Sequence, residues 1–202
     1  MNWPTIFAEE ARTNSVLRLD EVARRRGVHE AVARNAFRRW EAHGLVEHVS
    51  NRLYINRLNQ LFSPRDLVNA LRPESYVSLE SALVDAGVTR QSPAVLTCVT
   101  TGYPREFRTP SAAILYRRIA PALFWGFEER MTRYGRYRVA EAEKALLDWI
   151  YLNRQAGLPI VLDEVDLRGL DRVKLIAYAQ RFPSTVERDT RQLLAENAVL
   201  SA

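Results

Sequence analysis

The chain has 202 residues, 47% hydrophobic and 26% charged, the balance of a folded protein with room for one large domain or two small ones. Its apolar runs, such as 145–151 and 159–162, are too short to span a bilayer. The start "MNWPTIFAEEA" lacks a signal-peptide pattern, and one cysteine, Cys98, excludes an internal disulfide and a cysteine-based zinc site. The expectation is a cytoplasmic protein without a membrane partner. The net charge of +5 comes from 29 basic residues, of which only Lys144 and Lys174 are lysine. Arginine forks bidentately onto phosphate and guanine, so the composition points to an anionic partner; codon bias alone gives the same lysine-poor chain.

In chain order, residues 1–60 hold ten arginines against seven acids, a denser excess than in the remainder. The stretch "EVARRRGVHEAVARNAFRRW" (21–40) carries six of them. Residues 19–28 predict a helix with Asp20 as its cap and Leu19, Val22 and Ala23 facing inward. Gly27 supplies the left-handed residue that ends it, and Val28 pins the turn. Residues 29–41 predict a second helix, with His29 in the cap position. There Val32, Ala36 and Trp40 lie one turn apart, flanked by Ala33 and Phe37, leaving Arg34, Asn35, Arg38 and Arg39 on the opposite side. A helix that reads DNA needs this division.

The alternating runs 45–49 and 53–56, joined through Ser50 and Asn51, predict a β-hairpin with Arg52 at its tip. After such a helix pair, a hairpin is the wing of a winged helix-turn-helix, and Arg52 is placed for a phosphate or the minor groove. Arg24, Arg25 and Arg26 are weaker contact candidates, because a helix C-terminus favours cations whatever the partner. Two amphipathic helices with merely solvated arginines are the competing reading. The glycine turn, basic face and hairpin together favour DNA. His29, His43 and His48 have no cysteines nearby and make no metal set.

The chain divides at 57–74, where "SPRD" and "RPES" flank a short helix at 65–71. The organisation read from sequence is α+β: residues 1–57 a winged helix-turn-helix, 58–74 a linker, and 75–202 a mixed α+β domain. In the last, 78–86 predicts a helix capped by Ser78 and stopped by Gly87, with Leu79, Ala82 and Leu83 in the core. The runs "AVLTCVTTG", "REFRT" and "AILYRRI" predict strands, as does 134–139. Residues 141–154 predict a strong helix with Ala142, Ala145, Leu146, Trp149 and Ile150 on one face, and with Gly157 and Pro159 beyond it. Helices near 171–181 and 184–197 close the chain. Arg105, Arg108, Arg117 and Arg118 fall on or beside adjacent strands, as a basic strip or a solvated sheet edge. No catalytic constellation, metal set or cofactor loop stands out. Glu143 and Lys144 are adjacent on a helix and so point about 100° apart, unlike the Glu-x-Lys pair on a nuclease strand.

Several stretches follow one another in a familiar order: "SYVSLESALVDAGV" (75–88), "TCVTTG" (97–102), "REF" (105–107), "YRRI" (116–119) and "VAEAEKALLDWIYL" (139–152). In that order and spacing the chain resembles the AbiEi family, the antitoxins of abortive-infection toxin–antitoxin systems, over nearly its whole length. One departure is the His-Glu start of the second helix, where a Ser or Thr cap is usual. The resemblance implies a transcriptional autorepressor, not an enzyme, whose winged domain binds an inverted-repeat operator upstream of its own operon. It also implies an α+β domain that counteracts a nucleotidyltransferase-like toxin, often without a stable complex. On that reading Arg105, Arg108, Arg117 and Arg118 are the candidate antitoxin surface. Two other readings remain open at this point: a winged-helix regulator whose C-terminal domain senses a small molecule, and a nuclease-like DNA-acting enzyme.

Overall fold

The computed structural model describes residues 2–90, 92–158 and 165–200, with side chains as far as Glu196. The order is α1 (Trp3–Thr13), β1 (Val16–Arg18), α2 (Leu19–Arg25), α3 (Glu30–Ala42), β2 (Val46–Ser50), β3 (Leu53–Asn56), α4 (Arg65–Leu71), β4 (Ser75–Val77) and α5 (Leu79–Asp85). There follow β5 (Leu96–Thr100), β6 (Arg105–Arg108), β7 (Ala113–Arg118), β8 (Phe127–Met131), β9 (Arg136–Ala140), α6 (Ala142–Gln155), α7 (Arg172–Ala179) and α8 (Ser184–Leu200). The fold is mixed α+β. Pro159, expected beyond α6, lies outside the described residues.

Two compact units divide the chain. The first is Met1–Pro73 with Phe107–Ala113 and Met131–Tyr137; the second is Glu74–Glu106, Ile114–Arg130 and Arg138–Ala202. Residues 58–73, a linker by sequence, fall inside the first unit. There Asp66 accepts from the Ser15 hydroxyl (2.6 Å) and the Ser63 N–H (3.1 Å).

The first unit is built around Trp40, whose ring centroid lies 4.7 Å from Phe37, 4.9 Å from Phe7 and 5.9 Å from Trp3. Burying side chains of this size stabilises by about 1.5–3 kcal/mol each, enough to hold α1 against α3. On α3 the buried positions are Ala33, Ala36, Phe37 and Trp40. Val32, expected in that stripe, is 47% exposed. At 100° per residue it sits a quarter turn off the line that 33, 36, 37 and 40 define.

A three-stranded antiparallel sheet, ordered β1-β3-β2, completes this unit. β1 has three residues, too few for an alternation to be seen in sequence. Its ladder runs on into α2, because the Leu19 N–H donates to the Arg52 carbonyl (2.9 Å). That fixes Arg18 as the N-cap residue and moves Asp20 into the first turn, where it accepts from Arg18 (3.2 Å) instead of capping.

The larger sheet is six-stranded, ordered β6-β7-β5-β4-β9-β8. β4 runs antiparallel to β5, while β5–β7 and β4–β9 are parallel. β4 is again only three residues long, and β8 (FEERM) is exposed along most of its length; neither shows the two-residue hydrophobic period that would reveal it. α6 packs against α5, α7 and α8. Every residue from Glu143 to Asp148 is buried, whereas Ala142 and Trp149 are half-buried. A helix enclosed all round has no single apolar face, so the expected stripe captured only part of it.

Ser78 stands at the N-cap of α5 but makes no capping bond. The cap comes from β5: Thr97 Oγ1 accepts from the Ser81 N–H (3.0 Å) and donates to the Ser78 carbonyl (2.8 Å). The Ser81 hydroxyl returns the bond, accepting from the Thr97 N–H (2.9 Å). Leu79 begins the helix at φ +58°, in the left-handed region, with its side chain fully buried. For a branched apolar residue that conformation costs about 1–3 kcal/mol, which its burial offsets.

Candidate nucleic-acid interface

The turn between α2 and α3 has the geometry its residues dictate. Gly27 lies at φ +61°, and the Val28 N–H donates to the Ala23 carbonyl (3.0 Å), closing the end of α2 as a left-handed residue permits. The His29 ring then does what Ser or Thr does elsewhere: its Nδ1 accepts from the Ala31 N–H at 3.2 Å, satisfying one orphan donor of α3.

With Ala33, Ala36, Phe37 and Trp40 inward, the helical repeat centres the outward face on Ala31, Asn35, Arg38 and Ala42. Arg34 and Arg39 stand on its two flanks. Asn35, Arg38 and Arg39 are exposed and Arg34 is half-buried. Among the described residues, no ion pair involves Arg24, Arg38 or Arg39.

The other basic side chains of this unit are differently employed. Arg25 pairs with Glu10 (2.6 Å), and Arg26 with Glu9 (2.6 Å) and Glu10 (3.5 Å), tying the end of α2 to α1. Arg52, at the β2–β3 turn, pairs with Glu30 (3.0 Å), and Arg34 reaches the same carboxylate at 3.9 Å. Glu30 was not singled out from sequence. Its signal was available: it lies four residues before Arg34, the spacing of a helical ion pair. The result is a helix face with two uncommitted guanidinium groups and an asparagine, bordered by a turn arginine held through one acid. Such groups can bond phosphate oxygens and the acceptor edge of guanine.

The strip expected on β6 and β7 loses one member. Arg117 is half-buried and turned inward, donating to Asn153 Oδ1 (3.1 Å) and the Leu152 carbonyl (2.8 Å). It thereby serves the last turn of α6, and burial pulls its guanidinium below the usual range against the opposing pull of Glu80. Arg105, Arg108 and Arg118 are exposed. Glu143 and Lys144 also part company. Glu143 accepts from the Asp171 N–H (3.0 Å) and pairs with Lys174 (3.1 Å).

Lys144 instead joins a buried network that sequence reasoning missed. Its ammonium donates to Asp148 and to the Tyr76 hydroxyl (2.8 Å), while Tyr76 and Ser78 each donate to Asp148 Oδ2 (2.9 Å). Tyr76, Ser78, Lys144 and Asp148 are all 0% exposed. The ammonium also lies over the rings of Trp125 (5.1 Å), Phe182 (5.2 Å) and Tyr76 (5.3 Å). Gly126, at φ +71°, lets the chain pass the lysine, for a Cβ there would meet Lys144 Cγ at 3.0 Å. Burial pushes Lys144 down and Asp148 up, and each charge opposes the other's shift; burial and Asp148 push Tyr76 up. The i,i+4 spacing of Lys144 and Asp148, and the two-residue spacing of Tyr76 and Ser78, were the signs in the sequence. Wholly enclosed, this network is an internal polar tie.

Among the described residues, no group of three His, Cys, Asp or Glu side chains is placed to hold a metal. None of their helices is long and apolar enough to cross a membrane. No protein-family model and no curated protein matches the chain.

Proposed function

We propose that the chain is a DNA-binding repressor of its own operon, and the antitoxin partner of a nucleotidyltransferase-like toxin. In this reading the first unit is a winged helix-turn-helix: α2 and α3 form the pair, α3 lies in the major groove, and the β2–β3 turn is the wing. Two copies meet the two halves of an inverted repeat. Repression follows from occupying the promoter and requires no chemistry.

The observation that carries the reading is selective pairing. Arg25, Arg26 and Arg52 are matched to acids, while Arg38 and Arg39 stand exposed beside Asn35 with no ion pair among the described residues. Leaving two guanidinium groups unmatched on one helix face suits a polyanion. The antitoxin half rests on the sequence resemblance, with the exposed Arg105, Arg108 and Arg118 as its candidate surface.

The test is retention of duplex DNA from upstream of the coding sequence over a range of salt concentrations. The expected result is a log–log slope of about −0.9 for each phosphate neutralised, with several phosphates engaged. A flat response contradicts a phosphate-anchored interface.

A further inference from the structure

A cavity of about 740 Å³ opens beside the α3 face, between α1, the last turn of α3 and the residue before β2. Trp3, Phe7, Trp40 and Leu45 line it together with Arg39, His43 and, at the start of α1, Asn2 and Pro4. We propose that this cavity is an effector site for a small aromatic carboxylate, and that its occupation releases DNA. The ligand site stands on its own geometry; only the consequence for DNA rests on the function proposed above.

Three features set the ligand class. The volume lies within the range of small-molecule pockets, about 300–1,000 Å³, and an apolar lining with few polar groups is typical of them. The lining is aromatic, with Trp3 half-buried and Phe7 and Trp40 almost wholly buried behind it: Trp3 and Trp40 meet at 70° with centroids 5.9 Å apart, and Phe7 lies 4.9 Å from Trp40. A planar ring finds offset or edge contacts on such walls. Among the lining residues, Arg39 is exposed and has no ion pair among the described residues, so its planar fork is open to a carboxylate, the anion it binds bidentately. The His43 ring, at the C-cap of α3, is a second polar group on the same side.

The position of Arg39 couples the cavity to DNA. Arg39 lines the cavity and stands on the flank of the outward face of α3, and one guanidinium cannot serve a bound carboxylate and a phosphate together. Ligand and DNA therefore oppose each other, and by linkage DNA weakens the ligand by the same factor.

The test is calorimetric titration of the full chain, without DNA, with 2-naphthoate and with its uncharged analogue 2-naphthamide. The expected result is saturable binding of 2-naphthoate, weakened roughly tenfold or more in the amide and in the Arg39→Gln protein. Trp3→Ala weakens both compounds. Saturating 2-naphthoate also lowers DNA retention by the parent protein. Calorimetry without DNA keeps the two proposals apart: if the parent binds the naphthoate but no DNA, the repressor reading fails and the site stands. No saturable heat, equal binding of acid and amide, or an unchanged Arg39→Gln protein overturns the site. So does a dimer that Trp3→Ala splits while 2-naphthoate gives no heat, which assigns the cavity to a second copy of the chain.

Discussion

At the scale of single residues, charge is sorted by what it faces. Lys144 and Asp148 are enclosed without exposure and are tolerable only because each satisfies the other, with Tyr76 and Ser78 completing the carboxylate's bonds. Replacing one partner strands the other, which in buried pairs costs about 3–5 kcal/mol. Lys144→Met is therefore expected to lower unfolding stability by about that much in urea titration. Lys144→Met with Asp148→Leu is expected to recover part of it, since the stranded charge is gone.

Glu47 gives a pH-dependent counterpart. Burial works to raise its carboxyl, but hydrogen bonds from the Ser111 side chain, Thr109 and the Ser111 N–H, with Arg57 nearby, outweigh it and hold the group below the usual carboxylate value of 4.5. A carboxyl depressed by folding contributes stability that is present above 4.5 and lost as pH falls through its lower folded value. Glu47→Gln is expected to be less stable than the parent at pH 7 by about 1–3 kcal/mol. In acid titration the difference should close below pH 4.5; a constant gap at all pH values would deny the carboxylate its role.

At the scale of elements, the fold repeatedly satisfies a helix end from outside the helix. His29 caps α3 with a ring nitrogen, Arg117 serves the last turn of α6 from β7, and Thr97 caps α5 from β5. Ser78, the obvious cap by sequence, has its hydroxyl committed to Asp148. Thr97→Val keeps the shape of the side chain and removes both bonds, leaving the Ser81 N–H without its cap. The expected loss is about 1–2 kcal/mol of stability. An unchanged melting temperature would mean that Ser78 or solvent takes over the cap.

The same elements explain what was legible. The 3.6-residue period exposes α2 and α3, and glycine marks the turn between them. Short β-branched or aromatic runs expose β5, β6 and β7. β1 and β4 were hidden because three residues show no alternation, and β8 because its side chains face solvent. α6 was read as a one-faced helix because apolar residues alone were counted; its buried Glu143, Lys144 and Asp148 carry polar bonds that no hydrophobic period reveals. On α3 the exposed arginines were visible in outline, but Val32 was assigned inward because a branched apolar residue one turn from Ala36 fits a stripe until the full set of neighbours is known.

At the scale of the molecule, residues distant in sequence decide which arginines are available. Glu9 and Glu10, in α1, engage Arg25 and Arg26, so the conspicuous triple-arginine run is largely a brace within the first unit. Arg24 is exposed at the same helix end and carries the same charge as each arginine of α3. That makes it an internal control for the central claim, which concerns one helix face and not basic charge in general. The decisive measurement is retention of upstream duplex DNA by Arg34→Ala/Arg38→Ala/Arg39→Ala, beside the parent and Arg24→Ala, after matching circular dichroism has shown all three folded. A loss of roughly 100-fold or more is expected in the triple variant, with little change in Arg24→Ala; a triple variant that holds the DNA as well as the parent would contradict α3 as the reading face.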